Sequence, residues 1–270
     1  MATKKPFKKP QLEQIELVKR EDQTEDLSLM WLTKPEGYTF KPGQYCTIGH
    51  EGVERAYSIA SAPHEELLEL FIELVPLHEG GVLTPMLWDL EVGSKVTIRP
   101  RAKGIFTFKP EKLNHLLVST VTGVVPYVSF VRDYMHSRES FEHNFYVLEG
   151  ASYTDEFVYD KEFVELASRY PENIKFVPTI SRPAEEKNSG WDGATGRVNQ
   201  IVEENISKFD LNANETLVYA CGHPGMIEDV KSRMGDIGFD FVEERFWNCL
   251  LYTSDAADDT PCVDLGGRRI

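Results

Sequence analysis

Residues 55–58, Arg-Ala-Tyr-Ser, place a cation, a flat ring and a small hydroxyl within one short strand-like run. Arg55 suits a phosphate, because a planar guanidinium binds two phosphate oxygens at once. Tyr57 suits stacking on a flat ring system, and the Ser58 hydroxyl suits an edge nitrogen of such a ring. Ala56 between them keeps the strand slim. A ligand that is anionic at one end and aromatic at the other would use all three polar groups.

Four further stretches carry similar hints. Gly81, Val82, Leu83 and Thr84 lie in GGVLTPML, where flexible glycines precede a helix start. The first N–H groups of a helix are free and favour an anion. Thr120, Thr122, Gly123 and Pro126 lie in STVTGVVPYVS, a strand, a small-residue turn and a helix start. Ser181 and Arg182 close a strand run, and Arg197 follows in TGRV. Arginines that converge there would recognise an extra phosphate. Cys221, Gly222, Pro224 and Met226 lie in YACGHPGM, which leads from a strand through a turn into a helix. Each stretch alone also fits a plain structural account: a half-buried barrel Tyr, ordinary loops and caps, solvated arginines, a core cysteine.

Two kinds of periodicity must position these residues. Up to about Pro110, six short runs bounded by Gly, Pro or charges read as strands: 12–21, 27–35, 43–50, 54–61, 67–75 and 94–100. They predict an antiparallel Greek-key β-barrel over 1–110, interrupted by one helix with Thr84 as its cap and Pro85 at its first position. Beyond that, apolar strand runs alternate with amphipathic helical runs up to FDFVEERFW. Such alternation predicts an α/β doubly wound parallel sheet over 111–248, with ligands at the carboxyl ends of its strands.

Bulk properties narrow the partners. With 29 Lys+Arg against 44 Asp+Glu, the net charge of −15 argues against nucleic acid and against an anionic membrane surface. No run is long and apolar enough to span a bilayer, and MATKKPFKKP lacks the apolar stretch of a signal peptide. A cytoplasmic monomer is expected. Cys46, Cys221, Cys249 and Cys262 are scattered, and the seven histidines lack ligand spacing, so neither a metal nor an iron–sulfur cluster is expected. The run Cys249–Asp258 resembles translated sequencing-adapter DNA. Residues 249–270 are therefore read as an artefactual tail, with the natural chain broken off near Asn248.

Together and in this order, the five stretches resemble the ferredoxin–NADP reductase family, bacterial type. RAYS resembles its R-x-Y-S flavin signature, and GVLT its G-x-x-[ST] pyrophosphate turn. STVTGVVPY resembles its T-G-T-G-x-A-P nucleotide turn, and SR, GR and CGHPGM its NADP elements. The resemblance implies FAD in the barrel, with Arg55 on the pyrophosphate, Tyr57 on the isoalloxazine and Ser58 near flavin N5. It implies NADPH on the second domain, with Arg182 and Arg197 on the 2′-phosphate and Cys221 beside the nicotinamide. Ser58 and Cys221 would then be the catalytic pair, and electrons would pass from NADPH through the flavin to a ferredoxin or flavodoxin. Val121 and Val125 stand where the family pattern has Gly and Ala, and Ser152 where some members carry Arg. A branched residue at 121 is expected to resist positive φ. The family also places an aromatic near the cofactor at its end, for which Phe246 and Trp247 are candidates. Lys4, Lys5, Lys8 and Lys9 are candidates for a local basic docking patch. Alternative readings are an NADH-dependent flavin reductase feeding an oxygenase, and a non-catalytic FAD-bearing electron-transfer subunit.

Overall fold

A computed structural model describes residues 12–245. The basic N-terminal segment, Phe246, Trp247 and the adapter-like tail lie outside the described residues. All six strand runs of the first half form strands: β1 (Glu13–Asp22), β2 (Leu27–Thr33), β3 (Tyr45–His50), β4 (Val53–Ser58), β5 (Leu67–Glu73) and β6 (Lys95–Ile98). They pair antiparallel in the order β4-β3-β6-β1-β2-β5. The edge strands meet just beyond Ser58, where the Ala60 N–H donates to the Glu69 carbonyl at 2.8 Å and curls the sheet into a barrel. Alternation sets the inside: Ile15 and Leu17 of β1 point into a core with Met30, Ile48, Leu68, Leu70 and Ile98.

The α-helix of this half, α1 (Leu83–Trp88), differs from expectation. It begins before Thr84 rather than after it, and Val82 precedes it without any side-chain cap. The Thr84 hydroxyl instead donates to the Val75 carbonyl and accepts from the Val75 N–H, so it ties the helix to the end of β5.

The second half alternates as its pattern predicts. It contains β7 (Asn114–Thr120), α2 (Val125–Ser137), β8 (Asn144–Ala151), α3 (Asp160–Arg169) and β9 (Ile174–Ile180). After these come β10 (Ala194–Thr195), α4 (Val202–Lys208), β11 (Thr216–Gly222), α5 (Pro224–Asp236) and β12 (Asp240–Arg245). The strands pair in parallel, in the order β10-β9-β8-β7-β11-β12. The two-residue β10 has no counterpart in the sequence pattern, because it is too short to show a period. Leu116, Val118 and Leu148 face α4 and α5, while Leu117, Phe145 and Val147 face α2 and α3. Both faces are covered, as a parallel sheet requires.

The halves share one apolar cluster: Leu27, Leu29, Ala60 and Phe71 of the barrel meet Val128, Phe130, Val131 and Tyr159. Phe106 and Phe108 of the linking segment pack into the same cluster. A polar lock runs beside it. Arg132 of α2 donates to buried Glu69 of β5 at 2.7 Å and grips Glu162 of α3 with two bonds of 2.9 and 2.7 Å. The Tyr159 hydroxyl donates to the other Glu69 oxygen at 2.8 Å, and the Ser129 hydroxyl donates to the Ser61 carbonyl at 2.9 Å.

Candidate functional site

The sheet order reverses between β7 and β11, and the ends of these strands open a cleft of about 650 Å³. This is the switch point at which doubly wound sheets bind ligands, and the volume suits a small organic ligand. Of the residues singled out from sequence, Thr120, Thr122, Ser181, Arg182, Arg197, Gly222 and Met226 line it. Gly123, Pro126, Cys221 and Pro224 do not; they form the layer beneath or beside it.

The floor of the cleft is closed by glycines for steric reasons. A Cβ on Gly123 would lie 2.2 Å from the Cys221 carbonyl oxygen, and one on Gly222 would lie 2.3 Å from Thr120 Oγ1. The Thr120 hydroxyl accepts the His223 N–H at 2.9 Å, so the two turns are pinned together. His223 then caps α5, its Nδ1 accepting from the Gly225 N–H at 3.0 Å. Pro224 follows at the first helical position, where a missing N–H costs nothing. The first N–H groups of α5 are thus engaged within the turn, that of Gly225 by the His223 ring and those of Met226 and Ile227 by the His223 carbonyl.

Val121 corrects an expectation. It does adopt positive φ, +42°, in the one-turn 3₁₀ segment Val121–Val124 that precedes α2. For a branched side chain this costs on the order of 1–3 kcal/mol. Packing against both the shared core and Phe157, Ala151 and Ile180 holds it there.

The cationic wall is already organised. Arg182 donates to the Tyr153 hydroxyl at 2.7 Å and lies 3.6 Å from Glu185. Lys187 sits over the Tyr153 ring, 4.5 Å from its centre, and pairs with Asp155 at 2.9 Å. Buried Asn188 was missed by sequence reasoning. Its amide donates to the Ser152 and Arg182 carbonyls, and its oxygen accepts the Thr154 N–H. It thereby fastens the arginine loop to the loop after β8. Its only sequence signal is an Asn inside a charged loop, which many unremarkable loops share.

At the domain boundary Ser58, Cys221 and Glu244 converge. β11 and β12 pair Cys221 with Glu244 in register, and Glu244 Oε2 is 3.5 Å from the Ser58 hydroxyl. Glu244 is 3% exposed, and its Oε1 has no partner among the described residues. Burial pushes its carboxyl up to about 8, the Ser58 hydroxyl pulling slightly the other way. It therefore holds a proton at neutral pH. Cys221 is fully buried, and both burial and the nearby Glu244 raise its thiol, so it is no thiolate nucleophile. Glu244 was not among the residues singled out, because one Glu in FVEERFW looks like any acidic strand residue.

On the barrel, β4 is an edge strand that is half-buried from Val53 to Tyr57, with one side on the core and the other open. Tyr57 packs against that core, and burial raises its hydroxyl. Arg55 folds onto its neighbour's backbone, donating to the Glu54 carbonyl at 2.7 Å. Gly81 packs so tightly on Val75 that a Cβ would sit 1.7 Å from the Val75 carbonyl oxygen. Val82, Leu83 and Thr84 then enter α1, whose first N–H groups have no partner within the helix.

The architecture is a small antiparallel barrel locked to a doubly wound sheet, with a nucleotide-sized cleft at the switch point. Residues 117–232 match the oxidoreductase NAD-binding domain family. The chain is 30% identical over 205 residues to a subunit of the Na(+)-translocating NADH-quinone reductase of Neisseria gonorrhoeae, covering 72% of this chain and 49% of that protein. It thus spans about half the length of that relative. It is 29% identical over 184 residues to flavodoxin/ferredoxin–NADP reductase of Buchnera aphidicola, covering 66% of this chain and 67% of that one. In fold it is similar to a ferredoxin NADP+ reductase from Neisseria gonorrhoeae with bound FAD and NADP, with a TM-score of 0.75, 22% identity, and coverage of 88% of this chain and all of that one. The chain is thus similar in sequence and in fold to ferredoxin–NADP reductases.

Proposed function

We propose that this protein binds FAD on β4 and at the α1 turn, binds NADPH in the cleft, and passes electrons between NADPH and a one-electron carrier such as ferredoxin or flavodoxin. The observation that carries this reading is the convergence of Ser58, from the barrel, with Glu244 and Cys221, from the sheet. A buried, partly unpartnered carboxyl at the seam between two ligand-binding surfaces fits a reaction that takes place across that seam. The close-packed turns after β7 and β11 fit a dinucleotide, since they bring the backbone of both strand ends to the cleft at the switch point.

When bound, FAD supplies the conversion of a two-electron hydride into single electrons, which a nicotinamide alone does not perform. The chain supplies the positions. Tyr57 stacks, Arg55 leaves the Glu54 carbonyl to bind phosphate, and Ser58 presents its hydroxyl to the ring edge. Glu244 holds a proton that Ser58 can relay between the seam and the reacting edge. Cys221, buried beneath Gly222, would support the cleft floor beside a bound nicotinamide. Arg182 and Arg197 provide charge for a 2′-phosphate.

The test is anaerobic stopped-flow mixing of the full chain with NADPH and, separately, NADH. The expected result is a bound flavin bleached faster by NADPH by about tenfold or more. Equal rates would favour an NADH-linked reductase, and no bleaching by either would favour the non-catalytic electron-transfer role. In the same assay, Arg182→Ala combined with Arg197→Ala is expected to raise the KM for NADPH by about 10–100-fold and leave that for NADH within about threefold. Equal effects on both would remove the 2′-phosphate assignment.

A further inference from the structure

Among the described residues, Glu73 is the single barrel residue that lines the cleft; every other lining residue belongs to the α/β domain. It ends β5, opposite Leu27, and its half-buried carboxyl makes no hydrogen bond or ion pair among the described residues. The charged groups that act on its carboxyl are all acidic, two from the barrel and one from the α/β domain. Asp26 precedes β2, Glu79 closes the short turn after β5, and Glu156 closes the turn after β8. The cationic and titratable groups of the cleft, Arg182, Arg197 and His223, stand on the α/β side. A carboxyl therefore projects into a cleft whose other features favour an anion.

We propose that Glu73 gates the entry of anionic nucleotide by pH: neutral, its carboxyl admits and can donate to a phosphate oxygen; ionised, it repels the ligand. This rests on the reading of the cleft as the dinucleotide site. The gate works near neutrality because burial, and then Asp26, Glu156 and Glu79, push the carboxyl up to about 7. The sign follows directly. Below that value Glu73 is neutral and the cleft keeps its full affinity; above it, the carboxylate opposes the ligand. Linkage requires the reverse as well: a bound anion raises the proton affinity of Glu73, so binding near pH 7 draws in a proton.

The experiment measures the dissociation constants of NAD+ and NADP+ by quenching of intrinsic fluorescence between about pH 6 and about pH 8.5. NAD+ is included because its pyrophosphate keeps its charge over this range, whereas a 2′-phosphate titrates near pH 6. The informative quantity is the difference between wild type and Glu73→Gln, which removes the contribution of every other group lining the cleft. Wild type is expected to bind NAD+ about tenfold more weakly at the upper pH than at the lower. Glu73→Gln is expected to lose most of that difference by retaining affinity at high pH. Asp26→Asn, which removes a neighbouring charge and leaves the carboxyl, is expected to move the midpoint to lower pH. Calorimetry in buffers of different ionisation heat should show proton uptake by wild type that Glu73→Gln lacks. Parallel pH profiles for wild type and Glu73→Gln, with binding intact, would overturn the gate alone. Absence of binding by either protein at every pH would overturn the dinucleotide reading and the gate with it.

Discussion

Glu244→Gln is expected to slow one-electron reduction of the flavin by a reduced carrier, in which the ring takes up a proton, by about a hundredfold, while leaving hydride transfer from NADPH, flavin content and nucleotide affinity near wild type. Glutamine keeps the size and can still bond to Ser58, but it cannot hold or release the proton. A positioned acid or base contributes on the order of 10²–10⁴ in rate, and the lower figure is appropriate to a contact as long as 3.5 Å. The pH profile carries the sign. With a carboxyl pushed up to about 8, the protonated form dominates below that value. A step that needs this proton therefore proceeds at full rate to about pH 8 and falls above it, and Glu244→Gln has no such limb. Stability moves as well. Between the usual carboxylate range and about 8 the folded chain holds a proton that the unfolded chain has lost, so stability declines with rising pH across that window. The melting temperature of Glu244→Gln should not show that decline. Ser58→Ala should slow the same step and keep the pH limb. A wild-type rate in Glu244→Gln would return this carboxyl to a structural role.

The second large effect concerns the lock between the domains. Arg132→Met should lower the free energy of unfolding by about 3 kcal/mol, because it leaves Glu69 buried without its cation. That corresponds to a fall of roughly 6–12 °C in Tm for a chain of this size. Glu162 is better solvated and contributes less to the loss. The double variant Arg132→Met with Glu69→Gln should recover much of the stability, since the uncompensated charge is then gone. Denaturant midpoints of the wild type and the two variants decide this. No recovery in the double variant would mean that the arginine acts through packing over the Tyr159 ring rather than through charge.

How much of this is legible in the sequence depends on range. The strand runs at LFIE and YCTI declare themselves, because a short β-prone run bounded by turn residues is a local property. The start of α1 does not. Thr84 looks like a cap by its place before Pro85, yet its hydroxyl answers to Val75, nine residues away, because that bond closes a tighter turn. Val121 looks unable to take positive φ, and the prohibition is real in energy. Core contacts from β8, β9 and the loop before α3 outweigh it.

The sequence by itself determined the two-part architecture, the acidic balance, the strand that carries Tyr57 and the turns that carry Gly123, Arg182 and Gly222, since each rests on neighbours within a few residues. Tertiary structure alone decided that Ser58 meets Glu244 from 186 residues away, that Glu73 reaches into the other domain's cleft, and that Asn188 fastens two loops. Side chains carry no mark of a distant partner. A lone Glu or Asn has the same local propensity in solvent or at a buried seam, and only packing determines which of the two it meets.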